Sequence, residues 1–135
     1  MNKAVPDVNS FSRALPDLLA GKRTPRDLLE QCLARIAERD GTVKAFVTLN
    51  IEGARAAADA ATARYRAGAP LSMVDGCPVG IKDIIDTADF PTEYGSPLYR
   101  GHRPAADAAV VSMVRRAGGI VLGKKSGLDS IRIAA

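Results

Sequence analysis

The chain has 135 residues, 47% of them hydrophobic and only 4% aromatic, which allows one domain or part of a larger one, supplies enough apolar content for a core, and argues against wholesale disorder. Its net charge of +4 comes from 19 basic and 15 acidic residues, and the basic doublets Lys22-Arg23, Arg115-Arg116 and Lys124-Lys125 lie far apart without flanking aromatics. That pattern speaks against a nucleic-acid partner, and no apolar run approaches membrane-spanning length.

Residues 1–9 read as a loose arm without the apolar region of a signal peptide, so a cytoplasmic chain is expected. Phe11 to Ala20 suits a short helix with Ser10 as N-cap and Phe11, Leu15, Leu18 and Leu19 on one side. Thr24-Pro25-Arg26-Asp27 is a helix start: a capping threonine, proline at the first helical position and an acid in the first turn. Leu28, Leu29, Cys32, Leu33 and Ile36 then repeat at helical spacing, and Gly41 is the expected stop. Cys32 falls on the apolar face, where a packing role is expected. With Cys77 it forms no CxxC and no metal-ligand spacing, so two ordinary thiols and no metal or cofactor are expected.

Val43 to Leu49 is a β-type run. Glu52 to Ala67 is an alanine-dense helix with Ala54, Ala57, Ala58, Ala61 and Tyr65 inward. After the turn residues Gly76, Pro78 and Gly80 comes a short β-branched run, so residues 79–85 are expected to form a strand with Ile81 inward. Lys82 interrupts this apolar run. A lysine at a strand's end can snorkel to water or pair with Asp83. A lysine desolvated in the strand can instead give up its proton and serve as a base.

Residues 86–104 hold Pro91, Gly95, Pro97, Gly101 and Pro104 and are expected to be the longest irregular segment. His102, the only histidine, reads as a solvated loop residue, since no GxSxG elbow accompanies it. Asp107 is placed to cap a helix running to Ala117, with Val110, Val111 and Val114 inward, and Ile120-Val121-Leu122 is a short strand. Gly118 to Lys124 matches the first seven positions of a phosphate loop, but Lys125 stands where that motif needs Ser or Thr and the middle reads as strand. The strand–loop–helix–strand order after residue 79 argues for an α/β fold with a largely parallel sheet covered by helices.

Four stretches stand out by order and spacing: Asp75-Gly76-Cys77-Pro78-Val79-Gly80-Ile81-Lys82-Asp83, then Pro91 to Ser96 with Thr92 and Gly95-Ser96, then Pro104, Asp107-Ala108 and Val111, and finally Ala117 to Lys124. Together they resemble the amidase signature family, with its Gly-x-Pro-x-x-x-Lys-Asp strand, its Thr and Gly-Ser loop, its Pro-x-x-Asp-Ala helix and its Gly-Lys strand. The resemblance covers about residues 10–124, so 10–124 is expected to be the N-terminal part of a mixed, largely parallel amidase-like sheet domain, incomplete, with 125–135 a divergent tail.

By this resemblance Lys82 aligns with the lysine of a Ser–cis-Ser–Lys triad that cleaves carboxamide C–N bonds through an acyl-enzyme. The resemblance also implies a small amide substrate. The Ser/Gly-rich signature that carries both serines has no counterpart here; Ser96 matches a family serine that is not the nucleophile, and Ser126 and Ser130 lie in the tail. Two functions follow as expectations. One is an amidase-type segment that carries the base and is inactive alone. The other is a non-catalytic remnant or assembly subunit that self-associates or needs a complementing C-terminal polypeptide. In the separate chain Lys82 is expected to stand exposed.

Overall fold

The computed structural model describes residues 10–126, so the expected arm at 1–9 and the tail from 127 lie outside the described residues. Helix α1 spans Phe11–Leu19, with Ala14 and Leu18 buried and Leu19 left outside. Helix α2 spans Pro25–Val43 and opens on a full capping box: Thr24 Oγ1 accepts from the Asp27 amide at 3.1 Å, and the Asp27 carboxylate accepts from the Thr24 amide at 2.9 Å. The helix runs through Gly41 and stops only where Lys44 turns left-handed at φ 52°. Glycine is tolerated inside a helix at a cost near ~1 kcal/mol, and here it does not end one.

Strand β1 is Phe46–Leu49, and helix α3, Ile51–Arg66, starts at Asn50, whose side chain accepts from the Gly53 amide. Strand β2 is Pro78–Lys82, a 3-10 turn covers Pro97–Tyr99, helix α4 is Ala109–Arg116, and strand β3 is Ile120–Lys125. The sheet order is β1-β3-β2, with β3 antiparallel to β1 and parallel to β2. This is the mixed α/β arrangement expected.

Leu29, Leu33, Ala54, Ala58, Ile120 and Leu122 pack α2 and α3 on one sheet face. On the other face Ile81, Phe90, Val111 and Val121 form a second core under the loop after β2 and helix α4. Alanines along α3 let it approach α2 closely. Glu30 on α2 accepts from Arg26 of its own helix and, across the seam, from Arg55.

Several local expectations shift. Strand β2 ends at Lys82 because the Ile85 amide turns back to the Lys82 carbonyl at 3.0 Å, so Ile84 leaves the sheet and stands exposed. Asp107 does not cap α4; its carboxylate accepts from the Ala88 amide at 2.8 Å and pairs with Arg115. Of the three valines expected inward on α4, Val111 alone is fully buried and Val110 is exposed. Cys32 is exposed, because nothing among the described residues covers that stretch of α2. Lys125, assigned to the tail by sequence, is the last residue of β3.

Candidate active site

Strand β2 sets the site. Ile81 pairs with Lys124 and Lys82 with Lys125 in the parallel register. The side chains of a strand alternate, so burying Ile81 against Phe90 and Val111 sends Lys82 to the opposite face. Lys82 is exposed there, and the Asp83 amide closes the sheet onto the Lys125 carbonyl at 2.9 Å.

The other lysine of this corner has the opposite environment. Lys124 is 0% exposed. Its Nζ donates to the Ile85 carbonyl at 2.6 Å, to Thr92 Oγ1 at 2.8 Å and to Thr87 Oγ1 at 3.1 Å. Three acceptors match the three N–H groups of an ammonium, and Asp83 Oδ1 lies 3.7 Å away as its charge partner. Burial pulls the Lys124 amine below the ordinary lysine value, and the Asp83 carboxylate works against that pull. Burial likewise lifts the Asp83 carboxyl above the usual range, opposed by the Glu93 amide and by Lys124. With Asp83 buried and every donor of Lys124 used, the pair fixes the backbone immediately after Lys82.

Further bonds hold the long loop over this node. The Tyr94 amide donates to the Asp83 carbonyl at 3.0 Å, and the Thr92 amide to the His102 carbonyl at 2.8 Å. The His102 ring stacks on Tyr94 at 6.2 Å and meets Tyr99 edge-on at 6.0 Å on the surface. Ser96 spends its hydroxyl capping the Leu98 amide. Neither residue is assembled with Lys82.

A second buried node fixes the entry to β2. Asp75 accepts from Arg64 at 2.8 and 2.7 Å and from the Leu71 amide at 2.9 Å. Burial alone would raise its pKa, but the Arg64 guanidinium and that amide outweigh burial and hold the carboxyl below the usual range. Gly118, at φ 91°, passes so close that a Cβ would fall on Asp75 Oδ1, so the turn before β3 admits only glycine. The Gly76 amide donates to the Gly118 carbonyl and the Ile120 amide to the Cys77 carbonyl, which locks β2 and β3 together at this end. Gly123 does the equivalent for β1, since a Cβ there would strike the Thr48 carbonyl.

Sequence reasoning singled out Lys82 but gave Lys124 no role. A signal was present: Asp83, Thr92 and Lys124 all belong to the stretches that resemble the family's motifs, and three-dimensionally they make one buried cluster beside Lys82. Among the described residues no group of three or more His, Cys, Asp or Glu is placed to hold a metal ion, and no helix is long and apolar enough to cross a membrane.

The family model described as Amidase matches residues 27–129. The chain belongs to the amidase family. The match runs past Lys124 into the stretch where the sequence resemblance faded. Among curated relatives, a glutamyl-tRNA(Gln) amidotransferase subunit from Chloroflexus aggregans is 44% identical over 115 residues, covering 85% of this chain and 24% of the relative. The protein of the same name from Rhodopirellula baltica is 37% identical over 128 residues, covering 95% of this chain and 26% of the relative. The native peptide amidase of Stenotrophomonas maltophilia superposes with a TM-score of 0.80 at 31% identity, covering 88% of this chain and 25% of that structure. The chain thus spans about a quarter of the length of these relatives.

Proposed function

We propose that this chain supplies the base, Lys82, of a carboxamide-cleaving site whose serines come from polypeptide with no counterpart in these 135 residues. The observation that carries the reading is the position of Lys82. It is the lysine of the family's Lys-Asp strand, and it stands at the carboxyl end of a parallel strand, where open α/β sheets bind ligands. Its side chain is free on the open face while the backbone beside it is pinned by Asp83 and Lys124. A rigid backbone with an unengaged side chain is what a catalytic group needs before its partners arrive.

The chemistry follows from the family's triad. The neutral amine of Lys82 takes the proton that a bridging serine relays from the nucleophilic serine. The serine oxygen bonds to the carboxamide carbon, the C–N bond breaks, and the proton passes to the leaving nitrogen as ammonia or an amine. Water then cleaves the acyl-serine. Covering Lys82 with further polypeptide removes it from water, and desolvation favours the uncharged amine that the role requires.

The test joins this chain in frame to the downstream three-quarters of the Chloroflexus aggregans relative and measures ammonia release from simple carboxamides. Lys82→Ala is expected to lower the rate by about 10²–10⁴-fold, the usual worth of a general base. Turnover that Lys82→Ala leaves unchanged would reject the base and favour a non-catalytic assembly role.

A further inference from the structure

Helix α2 and strand β2 lie side by side with two cavities along their seam. One, of about 240 Å³, is walled by Leu28, Cys32, Cys77 and Pro78 among others; the second, of about 310 Å³, by Cys32, Ile36, Pro78 and Val79. Both share Cys32, Arg35 and Pro78, so they join into one groove. The two cysteines of the chain, far apart in sequence, therefore stand on the same cavity wall.

The local geometry turns the two thiols toward each other. A Cβ on Gly76 would fall 2.7 Å from the Pro25 Cβ, so the residue before Cys77 lies against the first turn of α2. Cys77 then shares the first cavity with Leu28, about one turn along that helix. Cys32 comes one further turn along on the same face. Side chains of a helix lean toward its N-terminus, and for Cys32 that is toward Leu28 and Cys77. Pro78, the residue after Cys77, walls both cavities together with Cys32. Both cysteines are free, Cys32 exposed and Cys77 half-buried. Cys77 Sγ meets the Pro78 carbonyl at 3.7 Å, a weak bond that leaves the sulfur available. Burial lifts both thiols above the ordinary cysteine value; the Arg35 charge opposes that lift at Cys32, and the charge of Cys32 adds to it at Cys77.

We infer that Cys32 and Cys77 form an oxidisable pair, which a small-molecule disulfide converts into one intrachain disulfide tying α2 to the entry of β2. Cys32, the more exposed thiol and the one beside Arg35, is the first to react. Its thiolate attacks one sulfur of the small disulfide, a mixed disulfide forms, and one small thiolate leaves. The Cys77 thiolate then attacks the Cys32 sulfur and expels the second small thiol. Two cysteine thiols are oxidised and one small disulfide is reduced to two thiols. The new bond closes the loop from residue 32 to residue 77, which holds β1 and all of α3. It also fixes the strand that ends at Lys82 to the helical layer. The inference is independent of the role given to Lys82.

The experiment equilibrates the 135-residue chain with reduced and oxidised glutathione, once folded and once in urea. Free thiols are then blocked, and the products are read by intact mass and by peptide mapping without reductant. The folded monomer is expected to lose two hydrogen atoms, and the peptide carrying Cys32 to be linked to the peptide carrying Cys77. A bond that fits the fold is favoured by folding, so the disulfide is expected to hold against glutathione about tenfold better in the folded chain than in urea. The oxidised chain should melt about 5 °C or more above the reduced one. Cys32→Ser and Cys77→Ser should each give only a glutathione adduct on the remaining thiol. Glutathione adducts on both thiols of the folded chain with no linked peptide would overturn the inference, as would linkage only between two copies. A bond held no better when folded than in urea, or one that lowers the melting midpoint, would overturn it as well.

Discussion

Lys82 and Lys124 stand on neighbouring parallel strands, one register step apart, and point to opposite faces of the same sheet. On the Lys124 face the loop after β2 closes completely: three acceptors and a carboxylate surround the amine, and Phe90, Val111 and Val121 form a core with Ile81 on that face. On the Lys82 face nothing among the described residues closes, and the groove along α2 remains open. A charge buried in an apolar sheet costs several kcal/mol unless every bond is made. Lys124 meets that condition and Lys82 avoids the cost by facing water. The contrast separates a lysine that builds the corner from one that the corner presents.

The sharpest way to break the comparison is to remove each amine. Lys124→Met takes the charge partner from buried Asp83 and the lysine donor from the Ile85 carbonyl and the Thr87 hydroxyl, so a loss of about 3–5 kcal/mol is expected in chemical denaturation. Lys82→Met should change stability by no more than about 0.5 kcal/mol, as exposed substitutions do. Similar losses at both sites would erase the distinction.

The entry node provides the next effect. Gly118→Ala forces a Cβ onto Asp75 at a left-handed φ, and a loss of about 2–3 kcal/mol is expected from the backbone conformation and the clash. Calorimetry on that variant should show the drop with the fold retained.

Asp75 then sharpens the contrast by pH. Its folded pKa lies below that of an unfolded aspartate, which is about 3.9. Its contribution to stability is therefore fully present above about pH 4 and is lost as pH falls through the lower folded value. Asp75→Asn should flatten this acid limb, read as the pH dependence of the denaturation midpoint. An unchanged acid limb would mean that the Asp75 carboxyl is not held below the unfolded value.

A smaller loss is expected far from both lysines. Thr24→Ala removes the hydroxyl half of the α2 capping box and should cost about 1 kcal/mol in thermal unfolding.

The elements were legible in sequence where one local rule governed them. The Thr24–Asp27 box announced α2, the alanine face announced α3, and alternation around Ile81 placed Lys82 at the strand. What was not legible depends on contacts between distant residues. Lys124 reads as half of a charged doublet, and only Thr87, Thr92 and Asp83, brought from 32 to 41 positions away, show that it is buried. Asp107 has the spacing of a cap, but Ala88 and Arg115 claim its carboxylate first. Cys32 has core spacing, yet helical periodicity marks an apolar face and cannot say which partner covers it. The candidate base was visible as a lysine inside an apolar run; the buried scaffold that fixes its backbone was not.

The measurement that tests the proposed role of Lys82 most directly is ammonia or amine release from a panel of simple carboxamides by these 135 residues alone, compared with their Lys82→Ala form. The proposal draws its oxyanion donors, worth about 10²–10³-fold in rate, from other polypeptide, and no serine among the described residues is assembled with Lys82. Equal, background-level release from both proteins is the predicted result. Turnover that Lys82→Ala abolishes would contradict the account, because it would require a nucleophile within this chain, with Ser96 or Ser126 the first to be replaced.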